Sequence, residues 1–211
     1  MNKYFELLEK ILLQGNKQSN KKGNSIYLLN QTLSLNKKEL DTIFSEYKVA
    51  KRKLKDELEL YLNGENRVAE YNKKGIYWWN YIGKEFINSY PDFYKKVPEL
   101  INKINTEKRP SKNYMFFNGE TGVKSNQLPC VSLMQFQVPE NKLHMTVYQR
   151  SADSNLGLPS DIYQAKLLAE KIYAPLESLT FFIGNAHIYE NNIEETKNML
   201  QKLPYKFNLN V

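Results

Sequence analysis

Two alternating segments separated by a short turn constrain the fold of this chain more than any other feature. Residues 131–138 and 143–150 alternate apolar with mixed side chains, which is the period of a strand half buried against a core. The segment between them, residues 139–142, begins with proline and has the composition of a turn. The sequence therefore predicts a β-hairpin with Cys130 at the start of its first strand and Arg150 at the end of its second.

The remaining elements predict an α+β chain rather than a regular alternation of strands and helices. Helices are predicted at residues 2–13, 51–62, 98–104, 161–173 (with Ser160 as N-cap) and 193–201, and a short helix or turn at 38–46. Further strands are predicted at residues 25–35, 114–118, 179–183, 187–189 and 205–211. The polar, basic segment 15–25 is expected to be a loop, and segment 156–159 a turn. No internal repeat or linker is found, so one domain spanning residues 1–211 is expected.

Composition narrows the class of protein. Hydrophobic residues make up 41% and aromatic residues 13% of the chain, which argues against intrinsic disorder. No apolar run approaches a membrane span, and a single cysteine cannot form an intramolecular disulfide, so a cytoplasmic protein is expected. The net charge of +7 would attract phosphorylated small molecules or nucleic acid, although a lysine-rich surface is often simply solvated.

Cys130 is the only cysteine in the sequence. An isolated cysteine is usually a small buried hydrophobic residue, and the residue type alone favours that interpretation. The motifs around it favour a different one. They are residues 129–138 with the cysteine, 148–162 with a Tyr-Gln-Arg-Ser-x-Asp sequence, and 184–189 with a His-x-Tyr sequence.

In order and spacing these motifs resemble the thymidylate synthase family, and three linked motifs over about sixty residues are far more specific than one short motif. Residues 4–12 resemble the family's first helix. Residues 53–64 resemble the helix that carries its active-site glutamate, which falls on Glu57. The resemblance covers nearly the whole chain, with a short C-terminus.

The resemblance implies a thymidylate synthase-like α+β fold, in which a mixed sheet is packed with helices and mediates a homodimer. It also implies a pyrimidine nucleoside monophosphate as substrate, 5,10-methylenetetrahydrofolate as cosubstrate and no metal, with neither a membrane nor nucleic acid as partner. Carried over by position, the expected catalytic residues are Cys130, Glu57, Arg150 and Tyr94. The expected substrate-binding residues are Lys21, Arg109, Gln149, Ser151, Asp161, His187 and Tyr189, and the expected folate-binding residues are Trp79, Asp153, Leu156 and Gly157.

In the chemistry that this resemblance implies, a thiolate adds to carbon 6 of the pyrimidine ring, so that carbon 5 can attack a one-carbon unit. Arg150 would lower the pKa of Cys130 and contact the substrate phosphate. Glu57 would move protons at the ring if burial raises its pKa; otherwise it is an ordinary solvent-exposed acid. His187 and Tyr189, on the same strand face, would hold a sugar hydroxyl.

Several of these assignments keep a plain structural alternative. The aromatic-rich segment 67–94, which includes Trp79 and Tyr94, is of a kind that more often forms core than a cofactor wall. Asp153 could simply cap a turn. Lys21 stands where the family has a phosphate-binding arginine, and it could instead be a mobile surface lysine.

The phosphate site departs from the family in a second place. The family has a pair of arginines that cross the dimer interface to the partner's substrate phosphate, and here Arg109 stands alone with Lys112 behind it. Lysine neutralises phosphate but lacks the bidentate fork of arginine. These departures leave the phosphate affinity and a site shared between two chains open.

The most informative departure is Asp161, which stands where thymidylate synthases have an asparagine. An aspartate accepts a hydrogen bond from the amino group of cytosine and repels the carbonyl of uracil, and a mismatch in a dry site costs about 1–3 kcal/mol. The same replacement characterises the deoxycytidylate hydroxymethylases of the family. Alternatively, Asp161 only caps the first turn of its helix.

Two further departures bear on the product. Val131 stands where the family usually has a histidine, and the chain ends soon after the strand at which the family's closing segment would begin. A more open site favours water over hydride as the last reactant, which gives a hydroxymethyl product, although the same loss could weaken folate binding. The sequence therefore favours 5-hydroxymethylation of CMP or dCMP. The alternatives are a thymidylate synthase that methylates dUMP and a non-catalytic binder of nucleotide or RNA, which the basic run 48–55 would allow.

Overall fold

The computed structural model describes residues 2–20, 23–47, 49–117 and 125–207, and all elements below belong to these ranges. The strands are β1 (Asn16–Asn20), β2 (Gly23–Asn36), β3 (Tyr114–Phe117), β4 (Val131–Gln137), β5 (Leu143–Gln149), β6 (Ala152–Asp153) and β7 (Leu176–Tyr189). The α-helices are α1 (Lys3–Gln14), α2 (Lys37–Glu46), α3 (Lys51–Leu62), α4 (Val68–Lys73), α5 (Tyr90–Tyr94), α6 (Val97–Glu107), α7 (Gly157–Ala169) and α8 (Ile193–Leu200). Short 3-10 helices lie at Asn80–Ile82, Pro139–Asn141 and Glu190–Asn192. None of the described helices has both the length and the apolar character that crossing a bilayer requires.

One mixed sheet organises the described strands. Its order is β1-β2-β7-β5-β4-β3, and β6 pairs with β7. β4 and β5 form the predicted antiparallel hairpin, whereas β5 and β7 run parallel. The predicted α+β architecture with a mixed sheet and helices is thereby confirmed. Because β4 begins where β5 ends, the N–H of Arg150 donates to the carbonyl of Cys130 at 2.9 Å.

Helices pack against one face of this sheet and cover its inward side chains. Phe136, Val147 and Phe181 lie on this face of β4, β5 and β7, and all three are at most 1% exposed. Tyr4 and Leu8 of α1 belong to the same core. A shift of one residue in any of these strands would move the buried set into water, so their register is strongly fixed.

The opposite face carries a row of apolar side chains that no described helix covers. Phe117, Leu133, Tyr148 and Phe182 are cross-strand neighbours on β3, β4, β5 and β7. Leu133 is half-buried, whereas Phe117 is 65%, Tyr148 46% and Phe182 44% exposed. We call these four residues the outer apolar row. A contiguous apolar surface of this kind commonly marks a contact with another molecule.

Residues 15–25, predicted as a loop, instead contribute most of a β-hairpin. β1 pairs antiparallel with the beginning of β2, from Asn16 with Tyr27 to Asn20 with Gly23. The loop prediction was wrong because β1 is polar throughout, so no apolar alternation marked it as a strand. Lys21 lies outside the described residues.

The two short strands predicted at 179–183 and 187–189 are one continuous strand, β7. Gly184 lies inside it, and an added Cβ there would come within 2.7 Å of the carbonyl oxygen of Arg150. The N–H of the next residue, Asn185, donates to that same oxygen at 3.1 Å. The glycine therefore permits the close approach of two backbones rather than interrupting the strand.

Helix α7 begins at Gly157, so the turn predicted at 156–159 and the N-cap predicted at Ser160 are wrong. Pro159 fits within the first turn, because the N–H groups of a first turn have no partner in the helix. The N–H of Leu156 donates to Oδ1 of Asp153 at 3.3 Å, which joins the helix start to β6. Asp161 consequently lies in the second turn, where it cannot cap the helix.

The last strand predicted at 205–211 is absent from its described part, residues 205–207. The ring of Phe207 stacks on Tyr47 at 5.8 Å between centroids. The N–H of Lys206 donates to Oε2 of Glu195 on α8 at 2.7 Å. These contacts hold the segment against helices instead of against the sheet. Residues 208–211 lie outside the described residues.

Candidate active site

The candidate site lies at the end of the sheet where β4 begins. β5 ends there at Gln149, and β6 runs beside β7 so that Asp153 is paired with His187. Helix α7 reaches the same end, because Asp161 accepts a hydrogen bond from Gln149. The fold thus brings together residues from four elements that the sequence motifs had linked only by resemblance.

Cys130 is partly exposed, unlike the fully buried hydrophobic residue that an isolated cysteine usually is. Its backbone N–H donates to the hydroxyl of Tyr90 at 3.1 Å. Burial, and then the proximity of Cys130, raise the pKa of Tyr81 to about 12 and the pKa of Tyr90 well above its ordinary value. Both hydroxyls therefore stay protonated at neutral pH and lie within electrostatic range of the thiol.

The tyrosine that contacts Cys130 is Tyr90, which lies one turn of α5 before the expected Tyr94. Tyr94 is also buried at this site. Its pKa is raised by burial first, then by Asp161, Glu57 and last by Cys130. Tyr94 thus faces the acidic side of the site, and Tyr90 faces the cysteine.

Arg150 is anchored to the segment that precedes the cysteine. Its guanidinium donates to the carbonyl oxygens of Leu128 at 2.9 Å and Pro129 at 3.2 Å. The side chain remains exposed, and a guanidinium has five N–H donors, so it keeps donors for an anion. Ser151, the next residue, is half-buried beside it.

Glu57 lies on the buried face of α3 and is 4% exposed. Its Oε1 accepts hydrogen bonds from Trp78 at 2.7 Å, Trp79 at 2.5 Å and Tyr61 at 3.1 Å, and its Oε2 accepts one from Gln164 at 2.7 Å. Burial raises the pKa of Glu57, although these four hydrogen bonds act to lower it. Glu57 is therefore a buried acid rather than a solvent-exposed one, and burial of this kind suits a group that takes up and releases a proton.

Asp161 is partly buried, and one side chain among the described residues, Gln149, donates a hydrogen bond to it. Nε2 of Gln149 donates to its Oδ2 at 2.5 Å. Burial raises the pKa of Asp161 to about 7; the hydrogen bond from Gln149 opposes this rise, and the nearby Glu57 and Asp153 add to it. Gln149 itself is fully buried, and its Oε1 has no hydrogen-bond partner among the described residues.

His187 and Tyr189 share one face of β7, as the His-x-Tyr spacing predicted. Their ring centroids are 5.0 Å apart, edge to face. Nδ1 of His187 lies 3.1 Å from Oδ1 of Asn185, which orients the imidazole. Two largely buried rings with polar atoms can together hold a hydroxyl group.

The residues expected to bind folate offer features that suit a flat ring system. Next to Trp79, the side chain of Trp78 is 39% exposed and that of Tyr77 is 60% exposed, which provides aromatic surface near Glu57. Asp153 provides an acceptor at the start of α7. A Cβ on Gly157 would lie 3.6 Å from Cβ of Asp153, an ordinary contact, so the glycine lies directly beside this acidic side chain. The aromatic surface and the acidic acceptor therefore fit a folate.

Of the expected phosphate-binding residues, Arg109 is not brought to this end of the sheet. Arg109 precedes β3, and the first residue of β3, Tyr114, pairs with Phe136 near the far end of β4. Lys112 there is paired with Glu107 at 2.7 Å. Lys21 lies outside the described residues.

Among the described residues, no group of three or more His, Cys, Asp or Glu side chains is arranged to hold a metal ion.

Four residues of the site were not predicted from the sequence: Tyr61, Trp78, Tyr90 and Gln164. Tyr61 follows Glu57 by four residues on one helix, and Gln164 follows Asp161 by three on another, so helical spacing could have indicated both. Tyr90 begins the short helix α5 and Trp78 precedes a 3-10 helix, and no sequence spacing relates either residue to Glu57 or Cys130, so tertiary structure alone sets these contacts.

Comparison with known proteins agrees with this geometry. The family model described as thymidylate synthase matches residues 2–210. The chain is 26% identical over 225 residues to a thymidylate synthase of Buchnera aphidicola subsp. Baizongia pistaciae, covering 97% of this chain and 85% of that protein.

Two bifunctional dihydrofolate reductase-thymidylate synthases are also similar. The protein of Paramecium tetraurelia is 23% identical over 250 residues, covering 99% of this chain, and that of Plasmodium chabaudi is 25% identical over 244 residues, covering 97%. The chain spans 54% and 42% of the length of these two relatives, respectively. The members of the thymidylate synthase family are transferases that carry a one-carbon unit to carbon 5 of a pyrimidine nucleotide, with methylenetetrahydrofolate as cosubstrate. The family match covers nearly the whole chain, and a cysteine, a buried glutamate and an arginine are assembled at one end of the sheet. The chain is therefore a member of the thymidylate synthase family.

Proposed function

We propose that this protein is a cytidylate 5-hydroxymethylase that acts on CMP or dCMP with methylenetetrahydrofolate. The observation that carries the choice of base is Asp161, whose carboxyl group is held by Gln149 at the end of the sheet beside Cys130. Cytosine presents an amino donor where uracil presents a carbonyl acceptor. An ionised carboxyl group can only accept, so it pairs with the first and repels the second.

In this proposal Cys130 is the nucleophile. Its Sγ forms a bond to carbon 6 of the ring, and the displaced electron pair makes carbon 5 nucleophilic. Carbon 5 would then bond to the one-carbon unit of the folate, and a base would remove the proton from carbon 5 as tetrahydrofolate leaves with the electron pair of its bond to that unit. Water would add to the resulting exocyclic methylene group and lose a proton to a base, and departure of Sγ from carbon 6 would restore the ring double bond. Arg150, anchored on Leu128 and Pro129, favours the thiolate and meets the phosphate together with Ser151.

Glu57 manages the protons of this sequence. Burial raises its pKa above that of an exposed glutamate, which favours a carboxyl group that can hold a proton as well as accept one. Three donors fix Oε1, so the oxygen that exchanges a proton is Oε2, which has one described donor, Gln164. Tyr94, on the acidic side of the site, and the hydroxyl of Tyr90 help to order the water through which such protons move.

The nucleotide and folate assignments follow the same geometry. We place the sugar hydroxyl against His187 and Tyr189, and the folate against Trp79 and the start of α7, where Asp153, Leu156 and Gly157 lie. Lys21 and Arg109 remain proposed phosphate ligands. Because Arg109 lies at the far end of the sheet, it would have to act on the site of a second chain.

The outer apolar row supports a homodimer formed sheet against sheet. A cross-strand row with three side chains more than two-fifths exposed is unusual for a monomer, and a second copy would bury it. We expect the protein to sediment as a dimer and F182E to sediment as a monomer. The matched control is L13E, because Leu13 is 75% exposed on α1, away from this face, and its substitution should leave the dimer intact. A wild-type monomer at micromolar concentration would contradict the dimer.

Product analysis by mass spectrometry tests the function directly. CMP, dCMP, UMP and dUMP are each incubated with the protein and methylenetetrahydrofolate, with the C130A variant as control. We expect a 5-hydroxymethyl product from a cytidylate with the wild-type protein and none with C130A. Products from no nucleotide, or equal products with C130A, would overturn the proposal.

The second candidate is a thymidylate synthase that methylates dUMP, which the similarity to the Buchnera thymidylate synthase favours. The two reactions differ in the fate of the folate, because methylation oxidises it to dihydrofolate whereas hydroxymethylation leaves it as tetrahydrofolate. Dihydrofolate formed in proportion to a methylated uridylate would select this candidate.

A further inference from the structure

Asp161 and Gln149 form a pair with one fixed and one open hydrogen-bonding position each. Gln149 donates through Nε2 to Oδ2 of Asp161 at 2.5 Å, and no described residue donates to Oδ1 of Asp161. Gln149 is fully buried, yet its Oε1 lacks a partner among the described residues. A buried acceptor that makes no hydrogen bond costs free energy, so this oxygen indicates a donor on a bound ligand.

We propose that this pair is a selector of the base that is controlled by protonation. It binds cytidylate when Oδ1 of Asp161 is unprotonated and uridylate when Oδ1 is protonated. This inference rests on the proposed function of the same site. It adds a second substrate class and states the condition under which each is used.

The two states follow from the hydrogen-bonding edges of the bases. An unprotonated Oδ1 accepts a hydrogen bond from the amino group of cytosine. A protonated Oδ1 donates to the carbonyl of uracil, as an asparagine amide would. In both states Oδ2 continues to accept from Gln149, so the exchange needs no movement of the pair. Oε1 of Gln149 gains a donor either way, because uracil offers a ring N–H and the cytosine amino group carries a second hydrogen.

The surroundings of Asp161 place this exchange near neutrality. Two other carboxyl groups act on it, Glu57 from α3 and Asp153 from β6, and both disfavour its charge. Tyr90 and Tyr94 of α5 face it as neutral phenols, because their own pKa values are raised. Burial first, and then Glu57 and Asp153, raise the pKa of Asp161 to about 7 against the opposing hydrogen bond from Gln149.

The test is calorimetric binding of one cytidylate and one uridylate, dCMP and dUMP, to the wild-type protein between about pH 5.5 and about pH 8.5. The phosphate of both ligands titrates alike, so it cancels in the ratio of their dissociation constants. If each base needs one protonation state, this ratio changes by about tenfold per pH unit in favour of dCMP as the pH rises.

Three variants assign the titrating group. D161N should prefer dUMP at every pH with a ratio that does not change. E57Q and D153N should keep this slope, but at each pH their ratio should be displaced in favour of dCMP, because each removes a charge that raises the pKa of Asp161.

The outcomes separate this inference from the proposed function. A wild-type ratio that stays constant across the range overturns the selector but leaves a pyrimidine nucleotide enzyme in place. A pH dependence that persists in D161N, or disappears in E57Q, also overturns it, because another group would then be titrating. Absence of binding by either nucleotide at every pH overturns the proposed function together with the selector.

Discussion

The hydrogen bonds around Glu57 make the replacement E57Q a sharp test of this site. The glutamine carbonyl can take the place of Oε1 and keep the donors Trp78, Trp79 and Tyr61. Its amide nitrogen then takes the place of Oε2, which in the wild type lies 2.7 Å from Nε2 of Gln164. Two hydrogen-bond donors therefore face each other.

Rotation of Gln164 does not remove this conflict. Nε2 of Gln164 also donates to the carbonyl of Leu54 at 3.3 Å, so turning the amide would set two oxygens against each other there. One buried group is mismatched in either orientation, which costs about 1–3 kcal/mol. Removal of a buried carboxylate relieves its desolvation, so we expect a loss of unfolding free energy near the lower limit, about 1 kcal/mol.

A double-mutant cycle measured by denaturant unfolding isolates this mismatch. In Q164A the opposing donor is gone, so E57Q should cost little in that background, and the coupling energy should be about 1 kcal/mol. The matched control is E59Q, an exposed position on the same helix, which should change stability by less than about 0.5 kcal/mol. Additive effects of E57Q and Q164A would refute the proposed conflict between the two amides. In the same samples, E57Q should abolish nucleotide-dependent tritium release from carbon 5, whereas Q164A should retain it in part.

Other consequences can be checked with simple measurements. C130A should eliminate tritium release from carbon 5 of the nucleotide without loss of nucleotide binding, and unchanged release would remove Cys130 from the mechanism. Y90F should lower turnover by about fivefold with a small change in stability, because it removes the acceptor of the Cys130 N–H, a hydrogen bond of about 1 kcal/mol; turnover equal to that of wild type would contradict this role. The pKa of Asp161 is about 7 in the folded chain against an ordinary value of 3.8, so its stabilising effect is complete below about pH 4 and is lost as the pH rises to about 7. Wild-type unfolding free energy should therefore fall relative to D161N by up to about 4 kcal/mol over that range, less to the extent that the partly exposed charge stays hydrated, and parallel pH profiles would disprove the shift.

The elements that could be predicted from the sequence are those whose signal is local. The hairpin of β4 and β5, helix α3, and the shared face of His187 and Tyr189 all follow from periodicity. In each case burial of one face requires a regular spacing of side chains, and the spacing is visible in the chain. The burial of Glu57 was expected from the family resemblance instead.

The elements that could not be predicted depend on partners distant in sequence. β1 is a strand because β2 offers it a backbone partner, not because its side chains alternate. Gly184 is explained only by the carbonyl of Arg150 above it, and Tyr90 is distinguished from Tyr94 only by the position of Cys130. The early start of α7 has the largest consequence, since it moves Asp161 out of capping position and onto the face that Gln149 contacts.

Because three acids are clustered here, nucleotide binding should depend on which of them carry a proton, and not only on the net charge of the protein. Glu57, Asp153 and Asp161 come from three different elements, and the first two raise the pKa of the third. Three neighbouring carboxyl groups cannot all be ionised without repulsion, so at neutral pH the site retains protons that an isolated acid would have lost. A nucleotide phosphate would add further negative charge, which the proposed phosphate contact of Arg150 would offset. Replacing any one of the acids therefore changes the protonation of the others, and the pH dependence of binding should move with each substitution even where the substituted residue does not touch the base.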